Sequence, residues 1–564
     1  MENPRIILLV ALAFVCFALW NAWNKDYAHE PARVVQTNTS QTSITSQAAR
    51  PQVPVGVADK VTESVATSMV PTKKQTGFIS VKTDVLNVQI DPQGGNIVGL
   101  TLPQYPEALH RADLPFTLMS DHTSDFYVAE SALVGPFGPD KSNAQAQYTS
   151  AESQYVLESN QKTLNVVLQW EDPQGVSIEK IYTFNQGDYL VHLKYVITNH
   201  SKEAWTGNLY TQLSRTEPVN QNKGWFQIHP FVGAAVSSPE KRYQEIAFSK
   251  LTTHPVDKEI RSGWVAMVQH YFLGAWIPDP NENYHYYSNV SDNKIYTVGM
   301  MGPNISVQPG ESYTISSRLY TGPEITDNLR QIAPGLNLTV SYGWLWPISS
   351  AIFWLMKKIN DVIGNWGWSI IAVTLLIKLA FYHLSAKSYR SMAMMRKLQP
   401  KIEAIKERYG EDRQKLSQAM MELYKKEKIN PLGGCLPILV QIPVFFALYM
   451  VLIESVELRQ APWLGWIHDL ATPDPLYILP VIMGITMFIQ QKLNPPPADP
   501  MQARIMMFLP VVFTVLFIGF PSGLVLYWVV NNTLSILQQW YVMRSVDDGN
   551  GNAAGDRVVK KVNA

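Results

Sequence analysis

WGWSIIAVTLLIKLAFYHLSAKSYR, residues Trp366–Arg390, holds a single lysine, Lys378, within an apolar run long enough to cross a bilayer. An ionisable side chain at that depth costs on the order of 3 kcal/mol or more unless it meets water, a partner or a headgroup, so by default it marks a working site. The side chain lies about nine residues, or roughly 13 Å along a straight helix, from the next lysine at Lys387. Its own reach is only about 6 Å, so simple snorkelling leaves it short unless the bilayer is locally thin. Snorkelling remains one reading, and a water-filled recess open to one side is the other.

Working outward, further apolar runs make the chain a multi-domain α-helical membrane protein. Spans are expected at Trp366 to Ser385, Leu432 to Ile453, Leu476 to Gln491, Ile505 to Phe520 and Gly523 to Met543. Two of these are short, which implies a thinned bilayer around them. At the N-terminus, IILLVALAFVCFALW follows a short basic end, and Trp20 and Trp23 read as interfacial aromatics of an uncleaved anchor, residues 1–27. A cleaved signal peptide is the alternative. With the anchor there are six transmembrane helices.

Loop charge orients them. The connector 386–430 carries a dozen Lys and Arg, whereas Glu454 to Pro475 has only Arg459 beside Glu454, Glu457, Asp469 and Asp474. The basic connector is therefore cytoplasmic, together with both termini and a tail at 544–564, and the acidic loop is outside. The connector itself reads as a helical hairpin. Met395, Leu398, Ile402, Ile405 and Tyr409 follow 3,4 spacing, Leu416, Met420 and Leu423 answer them beyond a turn at Gly410, and Pro400 kinks the first arm. Its basic and Met-rich surface, Met394, Met395, Lys397, Lys401, Met420 and Met421, suits a flexible apolar partner; a plain solvated coiled coil is the alternative.

Residues 28–76 are rich in Thr, Ser, Gln, Val and Pro without a period, as in PARVVQTNTSQTSITSQAARPQVPVG, and form a tether. Residues 77–335 change to alternating runs, FISVKTDVLNVQI and YLVHLKYVIT among them, separated by turns such as DPQGG and NQGD. That pattern makes a large antiparallel β-sandwich outside the membrane. The aromatics of QHYFLGAWIP, Gln269–Pro278, read as core; a sugar site is the other reading, by fold analogy alone. Over 336–365, LWPISSAIFWLMKKIND sets Leu345, Ile348, Ile352, Leu355 and Ile359 on one stripe, an amphipathic helix lying on the membrane surface.

Composition excludes much. The 564 residues have formal net charge +0, and the two cysteines, Cys16 and Cys435, both sit in apolar stretches, so no disulfide framework or Cys-type metal cluster is expected. No catalytic triad, phosphate loop or metal constellation is present, so no cofactor, metal or enzymatic residue is assigned. Nothing points to a nucleic-acid substrate. With no Asp or Glu in any span, Lys378 has no built-in counter-ion, and Thr374, Gln441, Asn531 and Asn532 are the polar residues able to line a recess with it. Each alone is equally readable as a helix-packing hydrogen bonder. A small-anion transporter or channel using Lys378 is the competing function, against which stands the lack of inverted repeats.

LQPKIEAIKERYG, EKINPLGGCLPILVQIPVFFALY, SVELRQAPWLGWIHDL, DPLYILPVIMGITMFIQQKL and FPSGLVLYWVVNN, with QHYFLGAWIP and ISVKTDVL before them, resemble the YidC/Oxa1/Alb3 family of membrane insertases. The resemblance implies a chaperone of the bacterial inner membrane that inserts and helps fold nascent membrane proteins, alone or beside the Sec translocon, with ribosome and signal-recognition receptor as further partners and lipid around it. It implies that the recess is a hydrophilic groove for a client's polar tail, and that Thr374, Phe445, Met483 and Phe517 belong to a hydrophobic slide. Lys378 stands where the family usually has Arg, and His383 where it usually has Pro.

Overall fold

The computed structural model describes residues 77–140, 145–218, 230–410, 412–427, 436–494 and 500–562. The expected anchor, the tether and both cysteines lie outside these residues. Nineteen strands among the described residues form a ten-stranded and a nine-stranded sheet. Alternation decides which side chains face inward: Leu86, Val88 and Ile90, and likewise Tyr189, Val191, Leu193, Tyr195 and Ile197, are all buried between the sheets. Leu190–Asn199 pairs antiparallel with both Val176–Asn185 and Ser312–Pro323. One pair departs from the antiparallel expectation, since Ile79–Lys82 runs parallel to Gln154–Val156. In DPQGG and NQGD the turns need positive φ, which Gly94 (79°), Gly95 (62°) and Gly187 (72°) supply without a Cβ penalty.

Among the described residues nine helices follow the sandwich: α1 Trp346–Ile363, α2 Trp366–Ala380, α3 Tyr382–Lys397, α4 Gln399–Tyr409, α5 Arg413–Lys426, α6 Leu436–Glu454, α7 Ile478–Leu493, α8 Pro500–Phe517 and α9 Ser522–Val562. No single helix of the described residues is long and apolar enough to cross a membrane; α2 and α3 pass that test only together, as a pair bent by 67°, and shorter apolar helices lie in α6, α7 and α8. The span expected at Trp366 to Ser385 is thus broken at Phe381, where φ and ψ leave the helical region although neither proline nor glycine is there. At the other end α9 continues past Met543, so the expected tail is a helical extension.

The amphipathic stripe of α1 faces protein. Leu345, Ile352, Phe353 and Met356 are buried, Leu355 and Ile359 pack on the same core, and the Ser349 hydroxyl donates to the Ala447 carbonyl of α6 at 3.1 Å. Of the expected stripe only Ile348 stays exposed, beside Trp344, Trp346 and Trp354. With Val362 and Ile363 at the end of α1, these aromatics are the exposed apolar side chains left for an interface.

The sandwich and the helices share one continuous apolar core, from Ile79 to Tyr527. Polar contacts seal the seam. His270 bonds the Ile453 carbonyl at 2.8 Å, and the Tyr342 and Ser455 hydroxyls meet at 3.2 Å. Burial at this seam pushes the His270 pKa down to about 4, which keeps the imidazole neutral. Arg459 donates to the Pro106 carbonyl at 2.6 Å and to that of Glu107 at 3.2 Å, with its guanidinium over the rings of Phe116 and Phe272. The acidic residues of the 454–475 loop also have local work. Asp469 accepts the Gln460 and Ala471 N–H groups, and Asp474 accepts those of Leu476 and Leu479 together with the Trp466 indole.

Candidate functional site

Asn365 caps α2 by accepting the Trp368 N–H at 3.1 Å, which starts the helix at Trp366, and the break at Phe381 ends it after 15 residues. Lys378 therefore falls in the last turn, where its charge meets the exposed carbonyl end of the helix dipole. Thr374, one turn earlier on the same face, is buried and returns its hydroxyl to the Ile370 carbonyl. Lys378 is half-buried and turned inward: its ammonium donates to the Ser535 hydroxyl of α9 at 2.6 Å, and Ser535 donates to the Asn531 carbonyl at 2.7 Å. From α6, Gln441 reaches the Tyr527 hydroxyl at 3.5 Å.

These groups meet around one cleft. Thr374 and Lys378 of α2, Gln441 of α6, and Tyr527 and Asn531 of α9 line it, with Ile377, Phe381 and Val444 as its apolar wall. Its volume is about 30 Å³, room for roughly one water. The recess expected from the unpaired charge is thus narrow here. Asn532 is not part of it, since its amide donates to Thr486 of α7 at 3.3 Å on the far side of α9. Sequence reasoning missed Ser535 and Tyr527. Ser535 carries a usable signal, because it follows Asn531 by four residues and shares its helix face.

Of the four slide residues Thr374 lines the cleft, and Phe445, Met483 and Phe517 lie in the helix packing. Phe445 packs edge-on to Trp528 with centroids 4.8 Å apart and lies 6.1 Å from Phe517, which stacks on Phe520 at 4.8 Å. Phe517 and Met483 are buried in the helix packing, and Phe445 is half-buried. In this conformation the set is a packed layer rather than an open surface.

The 386–427 region folds as a bent hairpin. Pro400 sits in the first turn of α4, where its missing N–H has no helical partner to lose, so the kink expected there becomes a helix start. Asp412 caps α5. Leu398, Ile402 and Leu423 form a small core with Met395, Ile405 and Met420 against it, which spends two of the docking methionines on the hairpin itself. Met394 and Met421 remain exposed. Lys401 pairs with Glu427 across the hairpin at 2.6 Å, and Lys397 donates to the Val546 carbonyl of α9 at 3.3 Å.

The comparisons with known proteins agree along the chain. Residues 78–355 match the family described as YidC periplasmic domain, and residues 358–549 match the family described as 60Kd inner membrane protein. A membrane protein insertase YidC of Legionella pneumophila (strain Paris) is 50% identical over 97% of this chain and 98% of its own, and one of Coxiella burnetii (strain Dugway 5J108-111) is 45% identical over 100% of both. A solved structure described as active YidC insertase with the first transmembrane domain resolved aligns with a TM-score of 0.40 at 19% identity, covering 83% of this chain and 93% of that one; a likeness at that level adds nothing to the sequence relatives. On those relatives, this chain belongs to the YidC family of membrane protein insertases.

Proposed function

We propose that this chain inserts and helps fold other membrane proteins by taking a client's polar tail into the cleft around Lys378 while the client's apolar segment enters lipid beside Phe445. The inward-turned Lys378–Ser535–Asn531 chain carries this reading, because it holds between α2, α6 and α9 a cation that has no carboxylate partner among the described residues. Moving a polar tail across hydrocarbon is expensive, and a polar halt partway across divides that distance. The client's own hydrophobic segment supplies the driving force as it partitions. The step breaks no covalent bond and assigns no catalytic residue.

In this reading the chain has six spans, with the N-terminal anchor as the first and α2, α6, α7, α8 and α9 supplying the rest. Helices of 15 to 19 residues such as α2, α6, α7 and α8 reach only about 22 to 28 Å, so the bilayer around them thins toward the cleft. The α3–α5 hairpin lies in the cytoplasm, with Met394 and Met421 as its docking side chains, and meets clients, ribosomes or targeting factors. The sandwich is periplasmic. Cooperation with the Sec translocon is proposed on the family resemblance alone.

Reconstituted protein in liposomes tests the class. Insertion of an acidic-tailed client without translocon supports the proposal, and saturable small-anion uptake without insertion would establish the transporter instead. Lys378→Arg is expected to insert as the parent does, Lys378→Ala to slow acidic-tailed clients, and Lys378→Glu to slow them most by repulsion. Equal insertion by all three would reduce Lys378 to a structural anchor. Removing Lys397 to Glu427 is expected to slow insertion with the remainder still in the membrane, and an unchanged rate refutes the docking role.

A further inference from the structure

A second polar concavity lies on the outer face of the nine-stranded sheet. It has a volume of about 510 Å³, within the rough 300–1,000 Å³ range of small-molecule sites. Register shows how it is built. His192 stands directly opposite Arg318 on one side and Thr183 on the other, and Thr183 stands opposite Asn165. In the next row Lys194 stands between Ser316 and Ile181. The Ile277–Pro280 segment, with Asp279, closes one end.

Two cations, Lys194 and Arg318, stand on neighbouring strands of this face one diagonal step apart, and neither makes an ion pair among the described residues. Asp279 is the one carboxylate in the lining; its charge acts on Arg318 without a direct ion pair, and its Oδ1 accepts the Asn281 N–H at 2.9 Å and side-chain amide at 3.1 Å. Arg318 is half-buried and oriented by a single hydrogen bond, from Nη1 to the Ile332 carbonyl at 3.2 Å; no other hydrogen bond from its five N–H donors is present among the described residues. Two cations flanked by hydroxyl and amide groups in one concavity have a hydroxylated anion as their chemical complement.

We propose that this cleft binds a small hydroxyl-bearing organic anion, with Arg318 and Lys194 holding the carboxylate or phosphate and Asn165, Thr183 and Ser316 taking the hydroxyls. The site is separate from the insertion cleft and does not depend on it. Full-length protein in detergent is titrated with gluconate, inorganic phosphate and glucose, followed by calorimetry and by saturation transfer to the gluconate protons. Gluconate is expected to bind at least tenfold more tightly than glucose, phosphate to compete with it, and Arg318→Gln and Lys194→Gln each to weaken gluconate about tenfold, as loss of one charge-assisted contact would. Lys202→Gln, at an exposed lysine outside the cleft, is expected to leave binding unchanged. Gluconate binding no better than glucose, or equal weakening by Lys202→Gln and Arg318→Gln, overturns the proposal.

Discussion

Arg459→Ala is the sharpest test of how the sandwich is held to the helices. The guanidinium makes two charge-assisted bonds to backbone carbonyls, 2.6 Å to Pro106 and 3.2 Å to Glu107, and lies 5.7 Å from the Phe116 ring and 5.6 Å from that of Phe272. A charged hydrogen bond contributes about 1.5–3 kcal/mol and each partly wet cation–π contact about 0.5–1. Two features lower the total. The Pro106 carbonyl keeps Gln460 as a donor at 3.2 Å, and Glu107 is exposed enough for water to replace the lost bond. The net is about 2 kcal/mol, a roughly 30-fold rise in the open population of the hairpin formed by Asn96–Ala108 and Arg111–Met119. Amide hydrogen exchange in the full-length protein reads this directly: peptides covering residues 96–119 should exchange about 30-fold faster, those in the nine-stranded sheet at the parent rate. Arg459→Lys keeps the charge without the fork and should fall between. A rise below threefold in that hairpin would show that the apolar seam alone holds the domains together.

Three further outcomes follow from buried groups. Burial and the nearby Glu454 hold the Glu324 carboxyl well above its usual range, and its Oε1 has no hydrogen-bond partner among the described residues. The folded state then binds the extra proton, so its stability falls as pH rises from about 4.3 toward the folded pKa; Glu324→Gln should raise the Tm at pH 8 and leave it nearly unchanged at pH 4, and an equal shift at both refutes this. Lys180, wholly buried, donates at 2.9 Å to the Gly94 and Ser131 carbonyls; Ser131 keeps the Tyr195 hydroxyl, but Gly94 is orphaned by Lys180→Met, which should cost about 2–3 kcal/mol in urea unfolding followed by tryptophan fluorescence, partly restored by adding Asp140→Asn. An unmoved midpoint would show that the three tyrosine rings around the ammonium suffice. Gly367→Val should lower Tm through about 1–3 kcal/mol of overpacking, since any Cβ at 367 collides with the Trp463 indole, whereas an unchanged Tm means the 454–475 loop can move aside.

The sandwich was legible because period-2 alternation is a local property, and Val191, Leu193 and Tyr195 fall inside as it requires. Read strictly, the same alternation also puts Lys180 inside, between Ile178 and Tyr182, although charge argues against it. Lys378, Thr374, Gln441 and Asn531 were legible as polar residues within apolar runs, and they share one cleft. Their partners were not: Ser535 and Tyr527 are ordinary helix residues until the fold places them opposite. Arg459 counted only as an exception in an acidic loop, because its worth depends on carbonyls more than 350 positions away in the chain. The break at Phe381 left no proline or glycine to read, and it stands with histidine, not proline, at 383.

That break changes what the lysine means. For a straight helix Lys378 lies about 13 Å below Lys387, beyond the reach of its side chain. With a 67° bend at Phe381, about two residues of rise along α2 and seven along the tilted α3 leave an axial separation of only about 7 Å. The separation now exceeds the side chain's reach by only about 1 Å, so depth alone does not separate an anchor from a working group. Orientation supports the proposed working group. A snorkelling lysine extends toward the end of its helix, whereas Lys378 turns sideways into the bundle and spends a 2.6 Å bond on Ser535, whose own proton goes to Asn531. This close to the surface, an ammonium that instead stays between α2 and α9 keeps its remaining donors beside Gln441 and the cleft. In the proposed mechanism the same bend shortens the route from the surface, so that a client's polar tail would cross little hydrocarbon to meet Lys378.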